Sequence, residues 1–179
     1  MNLSGAVIWL RQAAEALAFI MVLSVLLPLL FGSAAGIPAG RVLTLVGSTV
    51  ILQANGAFTG AGLGMEPWEI LVIMTLVALG AVLGIFAICD TFALTSKRVR
   101  TFLEKAEKSM QKFPWVSKYG AVSLIVLPAL PVIGLYASVV IAWILRWNRF
   151  ESVLFITIGW IGAVIFVLLL AFGFISLVF

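Results

Sequence analysis

The chain of 179 residues is 64% hydrophobic and only 10% charged, with a mean hydropathy of +1.25. A soluble domain carries about a quarter charged residues, so the composition indicates an integral membrane protein with a single membrane domain over residues 1–179. There is no histidine, which excludes histidine-ligated haem or metal and histidine acid–base chemistry. The net charge of +4 does not indicate nucleic-acid binding, because the basic residues flank apolar segments.

Apolar runs long enough to cross a bilayer alternate with two apolar runs that are interrupted. A transmembrane helix needs about 20 consecutive apolar residues. The chain order predicts a transmembrane helix at 6–31, a re-entrant or broken hairpin at 41–64, a transmembrane helix at 67–94, a basic amphipathic cytoplasmic segment at 96–118, a second re-entrant hairpin at 120–146 and a transmembrane helix at 150–179. The predicted fold is all-α, with three full transmembrane helices and two re-entrant hairpins.

The first charges in the chain are Arg11 and Glu15, four residues apart in the first predicted helix, a spacing at which they can pair on one face. Charged residues inside a membrane segment are costly and often functional, so we consider these two and Asp90 as coupling or interfacial charges. Asp90 lies near the far end of the helix predicted at 67–94. There it could also pair with Lys97 or Arg98.

The first interrupted run begins as a membrane helix and then contains Gln53, Asn55, Thr59 and several glycines. Glycine weakens a helix, and amides at mid-depth need hydrogen-bond partners. This composition predicts a broken segment. The glycines also suit close helix packing, since Gly56 and Gly60 have the spacing of a small-residue pair, and both interpretations can hold together.

The basic segment at 96–118 combines Lys and Arg residues with apolar residues at helical spacing, which predicts an amphipathic helix on the membrane surface, in contact with anionic lipids. With two hairpins, Arg11 and the nine basic residues from Lys97 to Arg149 lie on one side of the membrane, and only Arg41 on the other. An excess of Lys and Arg marks the cytoplasm. We therefore expect a cytoplasmic N-terminus and a C-terminus outside.

The second interrupted run, 120–146, contains Pro128 and Pro131. Proline removes a backbone donor and clashes with the preceding helical turn. In hydrocarbon the freed carbonyls need partners, so we expect this break inside protein or beside a watery cavity. Broken hydrophobic segments mark the binding sites of many transporters, which makes this run and the nearby Gly134 the expected centre of function. A proline-kinked transmembrane helix is the alternative.

The order of a broken run followed by a transmembrane helix occurs twice, at 41–94 and at 120–179, and the two copies enter from opposite faces. This organisation predicts an inverted repeat. In transporters such repeats bring the two breaks together near the midplane of the bilayer.

Three motifs carry a resemblance to a known family. They are a polar glycine-rich motif at residues 53–60, a lysine-tyrosine-glycine sequence at 118–120 and a proline-containing run at 128–134. In this order, over roughly residues 42–175, the chain resembles the small multidrug export proteins of archaea and bacteria, which look like compact relatives of the DedA (VTT-domain) superfamily. The resemblance implies a transporter in a prokaryotic plasma membrane.

The chain departs from the family pattern in its first hairpin. That hairpin typically carries a glutamate and an arginine, then a proline, whereas the matching residues here, Gln53, Asn55 and Thr59, are uncharged. In the DedA group, membrane-embedded acids and arginines are taken to support proton-coupled movement of lipid or solute. The resemblance therefore does not extend to ion-coupling charges at these positions.

Two functions fit these observations. The first is a DedA-like transporter or lipid or solute translocator with a polar midplane site; its substrate-binding residues would be Gln53, Asn55, Gly56, Thr59, Pro128, Pro131 and Gly134. The second is a non-transporting accessory subunit of a larger membrane complex. Both agree with a homo-oligomer or a membrane-complex partner. We expect no enzyme, catalytic residue, metal or cofactor, because the sequence has no nucleophile-plus-base arrangement and no carboxylate cluster at ligand spacing.

Overall fold

The computed structural model describes residues 11, 13–14, 16–18, 20–95, 101 and 134–178, and of residues 92–95 and 174–178 it describes only the backbone. These residues form helices and turns, without a strand among them. We number the helices α1 (Ala16–Ala34), α2 (Ala39–Leu52), α3 (Gly56–Gly62), α4 (Pro67–Thr95), α5 (Gly134–Ile144) and α6 (Arg149–Val178). A 3-10 turn, Gln53–Asn55, joins α2 to α3. Most of the basic segment at 96–118 and the first part of the second hairpin, 120–133, lie outside the described residues.

Four helical stretches are long and apolar enough to cross a membrane: Ala16–Ala34, Ala39–Gly62, Pro67–Thr91 and Arg149–Gly173. The prediction of an all-α membrane protein is therefore confirmed. The stretch Ala39–Gly62 coincides with the first predicted hairpin, and it qualifies by length and composition although it consists of two helices and a turn. α5, with 11 residues, is too short to cross a bilayer as one helix.

α4 lies at the centre of the fold and packs against α1, α2, α3, α5 and α6. Its side chains Ile70, Ile73 and Met74 are fully buried. Lipid tails are as apolar as leucine side chains, so moving a helix from lipid to another helix removes no apolar surface from water. Helices in a membrane are therefore held together by close packing and hydrogen bonds.

The contact between α1 and α4 shows this packing clearly. The hydroxyl of Ser24 donates to the carbonyl of Val77 at 3.1 Å. On α4, Gly80 and Gly84 lie against α1; a Cβ at Gly80 would overlap the Ser24 hydroxyl, and one at Gly84 would be 2.5 Å from Ile20 Cγ1. Ser24 lies within a π-helical stretch, Val22–Leu26. Two small residues four apart thus allow the two helices to approach closely.

Three four-residue turns reverse the chain in the same way, at 35–38, 63–66 and 145–148. The second residue of each has a positive φ: Gly36, Gly64 and Arg146. The N–H of the third residue bonds to a carbonyl five residues earlier, as in the Schellman end of a helix. Because these turns are short, the helices on either side of each one run antiparallel.

The turns define two ends of the bundle. The turn end contains 35–38 and 63–66, and there the rings of Phe31 and Trp68 meet edge to face with centroids 5.7 Å apart. The opposite end, which we call the Asp90 end, contains 145–148; there Asp90 of α4 contacts Arg149 at the start of α6. α4 and α6 therefore run antiparallel over their length.

The packing of α1 on α4 makes a testable prediction. Gly80→Ala adds a Cβ that would lie 3.0 Å from Leu23 Cβ and from the Ser24 backbone nitrogen, and overpacking of this kind costs about 1–3 kcal/mol. The matched variant Gly162→Ala adds the same group where nothing lies within 4 Å, so it gains up to about 1 kcal/mol of helix propensity. We expect Gly80→Ala alone to lower the midpoint of thermal unfolding in detergent, followed by circular dichroism. Equal midpoints would contradict this account of the interface.

Candidate functional site

The first predicted break lies at Gln53, between α2 and α3. Its backbone has φ 55° and ψ −132°, a conformation that glycine adopts readily and other residues rarely. A residue held in such a conformation costs about 1–3 kcal/mol and persists only where its surroundings determine it. Gln53 therefore has contacts that compensate for the strain.

α3 folds back against α2 at this break. A Cβ built on Gly56 would lie 3.0 Å from the backbone nitrogen of Thr49 and 3.1 Å from the carbonyl carbon of Ser48. In one continuous helix, residues seven apart are separated by about 10 Å along the axis. The backbones of the two arms are thus in direct contact, and Gly56 is where they meet. At the other end of α3, a Cβ on Gly60 would be 2.7 Å from Ile70 Cγ1. The glycines serve both the break and the packing.

The tip of this hairpin contacts the start of α5. The backbone N–H of Leu135 donates to Gln53 Oε1 at 3.0 Å. Gly134 has a φ of +61°, and a Cβ there would overlap the Gln53 carboxamide. Only glycine therefore fits at position 134, both for its backbone conformation and for the space that Gln53 occupies. We call this meeting of residues 50–53 with residues 134–136 the tip contact.

A second hydrogen bond strengthens the tip contact. The Tyr136 hydroxyl donates to the carbonyl of Val50 at 2.7 Å. This carbonyl lies in the last turn of α2, where helical partners are missing. The carbonyl of Thr49, one residue earlier, accepts the N–H of Gln53. Two carbonyls near the end of α2 thus have partners without water.

The remaining predicted site residues lie around the tip contact with different exposure. Gly56 is buried and Thr59 is partly buried. Asn55 is exposed, and its side chain makes no hydrogen bond within the described part of the chain. Pro128 and Pro131 lie outside the described residues. The structure therefore brings together Gln53 and Gly134 of the predicted set, with Asn55 beside them on the surface.

Asp90 has two partners at the Asp90 end. Its Oδ2 lies 2.9 Å from Arg149 Nη1, and its Oδ1 accepts the indole N–H of Trp143 at 2.9 Å. Arg149 also lies over the ring of Phe86, 5.2 Å from its centroid. With side chains 54% and 40% exposed, the pair of Arg149 and Asp90 contributes at most about 1 kcal/mol. These contacts join α4 to the end of α5 and the start of α6.

The partners that the sequence predicted for Asp90 and Arg11 lie outside the described residues. Lys97 and Arg98, the two predicted ion-pair partners of Asp90, are not described. Neither is Glu15, nor therefore its predicted pair with Arg11. Arg149 is the first residue of α6, 59 positions after Asp90 in the chain, and the antiparallel arrangement of α4 and α6 brings the two together.

Tyr136 takes part in the tip contact, and the sequence did not single it out. Its signal was present: a hydroxyl two residues after Gly134 within an otherwise apolar run needs an acceptor when it is placed in a membrane. What the sequence did not indicate was the acceptor, a backbone carbonyl 86 residues earlier.

The chemistry available at the tip contact is hydrogen bonding by neutral groups. The residues that meet there carry a carboxamide, a phenol hydroxyl and backbone N–H and C=O groups. Within the described ranges, no three His, Cys, Asp or Glu residues come together as a metal site would require. The arrangement suits binding of a polar group inside a membrane.

Residues 36–166 match the family model described as "Putative small multi-drug export protein". The chain belongs to this family. The matched region contains both sides of the tip contact as well as Asp90 and Arg149. The family's name describes export across a membrane, which supports a membrane transporter in general. No curated protein and no solved structure matches the chain.

The tip contact predicts an unequal effect of two glycine substitutions. Gly134→Ala and Gly64→Ala both place a side chain at positive φ, which costs about 1–2 kcal/mol, but a Cβ at Gly64 meets nothing within 4 Å whereas one at Gly134 overlaps Gln53. We expect Gly134→Ala to lower the unfolding free energy in mixed micelles by at least twice as much as Gly64→Ala, measured by denaturant titration. Similar losses for the two variants would show that the tips do not touch.

Proposed function

We propose that the protein is a DedA-like transporter or translocator of lipid or solute, with its polar site between two broken helices at mid-depth. The observation that carries the proposal is the hydrogen bond between Leu135 N–H and Gln53 Oε1. It joins the broken end of one segment to the start of another that is too short to cross a membrane. Discontinuous helices that meet in this way form the substrate sites of many secondary transporters.

The lengths of the helices support a mid-depth position for the tip contact. α3 has seven residues and leads from the break to the turn end. α5 has 11 residues and leads from Gly134 to the Asp90 end. At about 1.5 Å per residue, the two together extend about 27 Å, close to the roughly 30 Å of a bilayer's hydrocarbon core. In this proposal both breaks are re-entrant, one from each face.

The two turns that follow α3 and α5 support an inverted repeat. In the first, Glu66 precedes α4 and its backbone N–H donates to the carboxylate of Glu69, three residues on. In the second, Asn148 precedes α6 and its amide donates to Glu151, again three residues on. Each proposed half thus contains a tight turn, then a residue that precedes the next helix and donates a hydrogen bond to a glutamate three residues later.

The charges support an orientation with the Asp90 end in the cytoplasm. Among the described basic residues, Arg146 and Arg149 lie at the Asp90 end. α1 contacts Gly84 through Ile20, so its N-terminal part is directed toward the Asp90 end, and Arg11 precedes that part. Arg41 follows the turn end. The sequence after α4 adds seven further Lys and Arg residues between 96 and 118, so the positive-inside rule favours this orientation in a prokaryotic plasma membrane.

Cysteine labelling tests the re-entrant arrangement. In a Cys89→Ser background, we expect Ser33→Cys and Gly62→Cys, which flank the first hairpin, to react with a membrane-impermeant maleimide in intact cells. Phe150→Cys, at the Asp90 end, should react only after permeabilisation. Ser33, Gly62 and Phe150 are all exposed. Labelling of Ser33→Cys and Gly62→Cys from opposite sides would mean that the segment crosses the membrane, and the proposal would be wrong.

Loss of the tip's polar groups tests transport itself. We expect the double variant Gln53→Leu, Asn55→Leu to lose at least 90% of its flux in proteoliposomes. A tenfold loss corresponds to about 1.4 kcal/mol of binding free energy at the site. Two probes are measured: efflux of ethidium, and dithionite access to a fluorescently labelled phosphatidylethanolamine.

The matched control is Ser33→Leu, Thr44→Leu. It also replaces two exposed polar residues, whose hydroxyls bond only to the carbonyls of their own helical turns. It should keep its flux. If the native protein moves neither probe and copurifies with a stoichiometric membrane partner, the accessory-subunit function replaces this proposal.

A further inference from the structure

Trp160, on α6, is an unsatisfied donor in the core. The residue is 0% exposed, yet its indole nitrogen has no hydrogen-bond partner in the described part of the chain. Buried tryptophans usually find a partner for this N–H, and a buried donor without one costs about 1–3 kcal/mol. Phenylalanine would fill much of the same space without that cost. Two more unsatisfied buried atoms of the described residues, on Trp147 and Ser152, lie in or beside the third turn.

Trp160 lies at the level of the tip contact. α5 and α6 pack against each other and are joined by the tight turn at 145–148. Gly134 lies ten residues before the end of α5, and Trp160 lies eleven residues after the start of α6. At about 1.5 Å per residue, both are therefore about 15–17 Å from the turn. α6 also packs against the 3-10 turn Gln53–Asn55 and against α3.

The polar groups at this level are unevenly used. Gln53 Oε1 accepts Leu135 N–H, and the Ser138 hydroxyl donates to the carbonyl of Gly134. The NH2 of the Gln53 carboxamide and the indole N–H of Trp160 bond to no described residue. The unused groups are thus donors. The Gln53 carboxamide lies against Gly134 at the start of α5, where the helix dipole is positive, and Trp160 lies at the same level. A ligand that completes the site has to supply an acceptor.

The charge of that acceptor is limited because no described basic residue lies at the level of Trp160. The described basic residues Arg11, Arg41, Arg146 and Arg149 lie toward the two ends of the bundle rather than at the level of Trp160. A buried charge is costly unless it is paired or hydrogen-bonded. Neutral donors and a helix dipole suit one delocalised negative charge better than two.

We propose that Trp160 and Gln53 form a binding site for a singly charged oxyanion, a carboxylate or a phosphodiester. The indole N–H and the carboxamide NH2 donate to its oxygens beside the N-terminus of α5. The inference rests on the proposed function and gives it a substrate class; the phosphodiester of a lipid and a soluble carboxylate are two sources of the same chemistry.

Tryptophan fluorescence of the purified full chain in maltoside micelles tests the site. The variant keeps Trp160 and replaces the other five tryptophans, Trp9, Trp68, Trp115, Trp143 and Trp147, by phenylalanine. It is titrated with dihexanoylphosphatidylglycerol, with butyrate, and with dihexanoylglycerol, which has the acyl chains but no phosphate. We expect a saturable change in emission with at least one anion, none with dihexanoylglycerol, and an apparent Kd at least tenfold higher after Gln53→Leu.

The outcomes separate the two sources and the two proposals. Saturation by the phospholipid alone assigns the site to a lipid, and saturation by butyrate assigns it to a soluble anion. No saturable response to either anion, or an equal response to dihexanoylglycerol, overturns the site.

If the five substitutions prevent folding, calorimetric titration of the otherwise native Trp160→Phe decides. This variant should bind the anion at least tenfold more weakly than the native protein, while Trp68→Phe, at an exposed position at the turn end, should bind it normally. Unchanged binding by Trp160→Phe, in a protein that still transports, removes this inference and leaves the proposed function standing.

Discussion

The fold depends on the need of every backbone group inside a membrane for a partner from the protein itself. A helix that ends at mid-depth leaves carbonyls and N–H groups unpaired, and water is not available to satisfy them. The tip contact meets this requirement: Gln53 accepts the N–H of Leu135 at the start of α5, and Tyr136 donates to the carbonyl of Val50 at the end of α2. In the proposed re-entrant arrangement, each segment thus supplies what the other lacks. The strained backbone of Gln53 and the absence of a side chain at Gly134 are consequences of how closely they meet.

α4 holds these elements in place. Its glycines admit α1, its buried Ile70 packs on Gly60 of α3, and its far end is joined through Asp90 to Trp143 of α5 and Arg149 of α6. The tips are consequently connected to both ends of the bundle through short rigid elements, α3 toward one end and α5 toward the other. A relative movement of the two halves would have to change the tip contact, which is where the proposed site lies.

The sequence alone predicted much of this architecture. Composition identified the membrane class, and Gln53 with its neighbouring glycines identified the first break, because polar and flexible residues are exceptional in an apolar run. Gly134 followed from its place after two prolines. Long-range partners could not be predicted in the same way. The sequence shows that a tyrosine hydroxyl, an indole N–H or a carboxylate needs a partner, but it does not show which residue provides it. The unpaired indole N–H of Trp160 could not be predicted either, since its missing partner is visible only once the surrounding helices are assembled.

The proposed function requires the two broken segments to touch at their tips within the bilayer. Solid-state NMR of the protein in lipid bilayers measures this directly, as the dipolar coupling between the carboxamide carbon of Gln53 and the amide nitrogen of Leu135. The hydrogen bond of 3.0 Å between Leu135 N and Gln53 Oε1 places these two nuclei about 4 Å apart, within the reach of ordinary hydrogen-bond geometry. A coupling of that size is the predicted result. A distance beyond about 7 Å, too long for any direct hydrogen bond, would contradict the account.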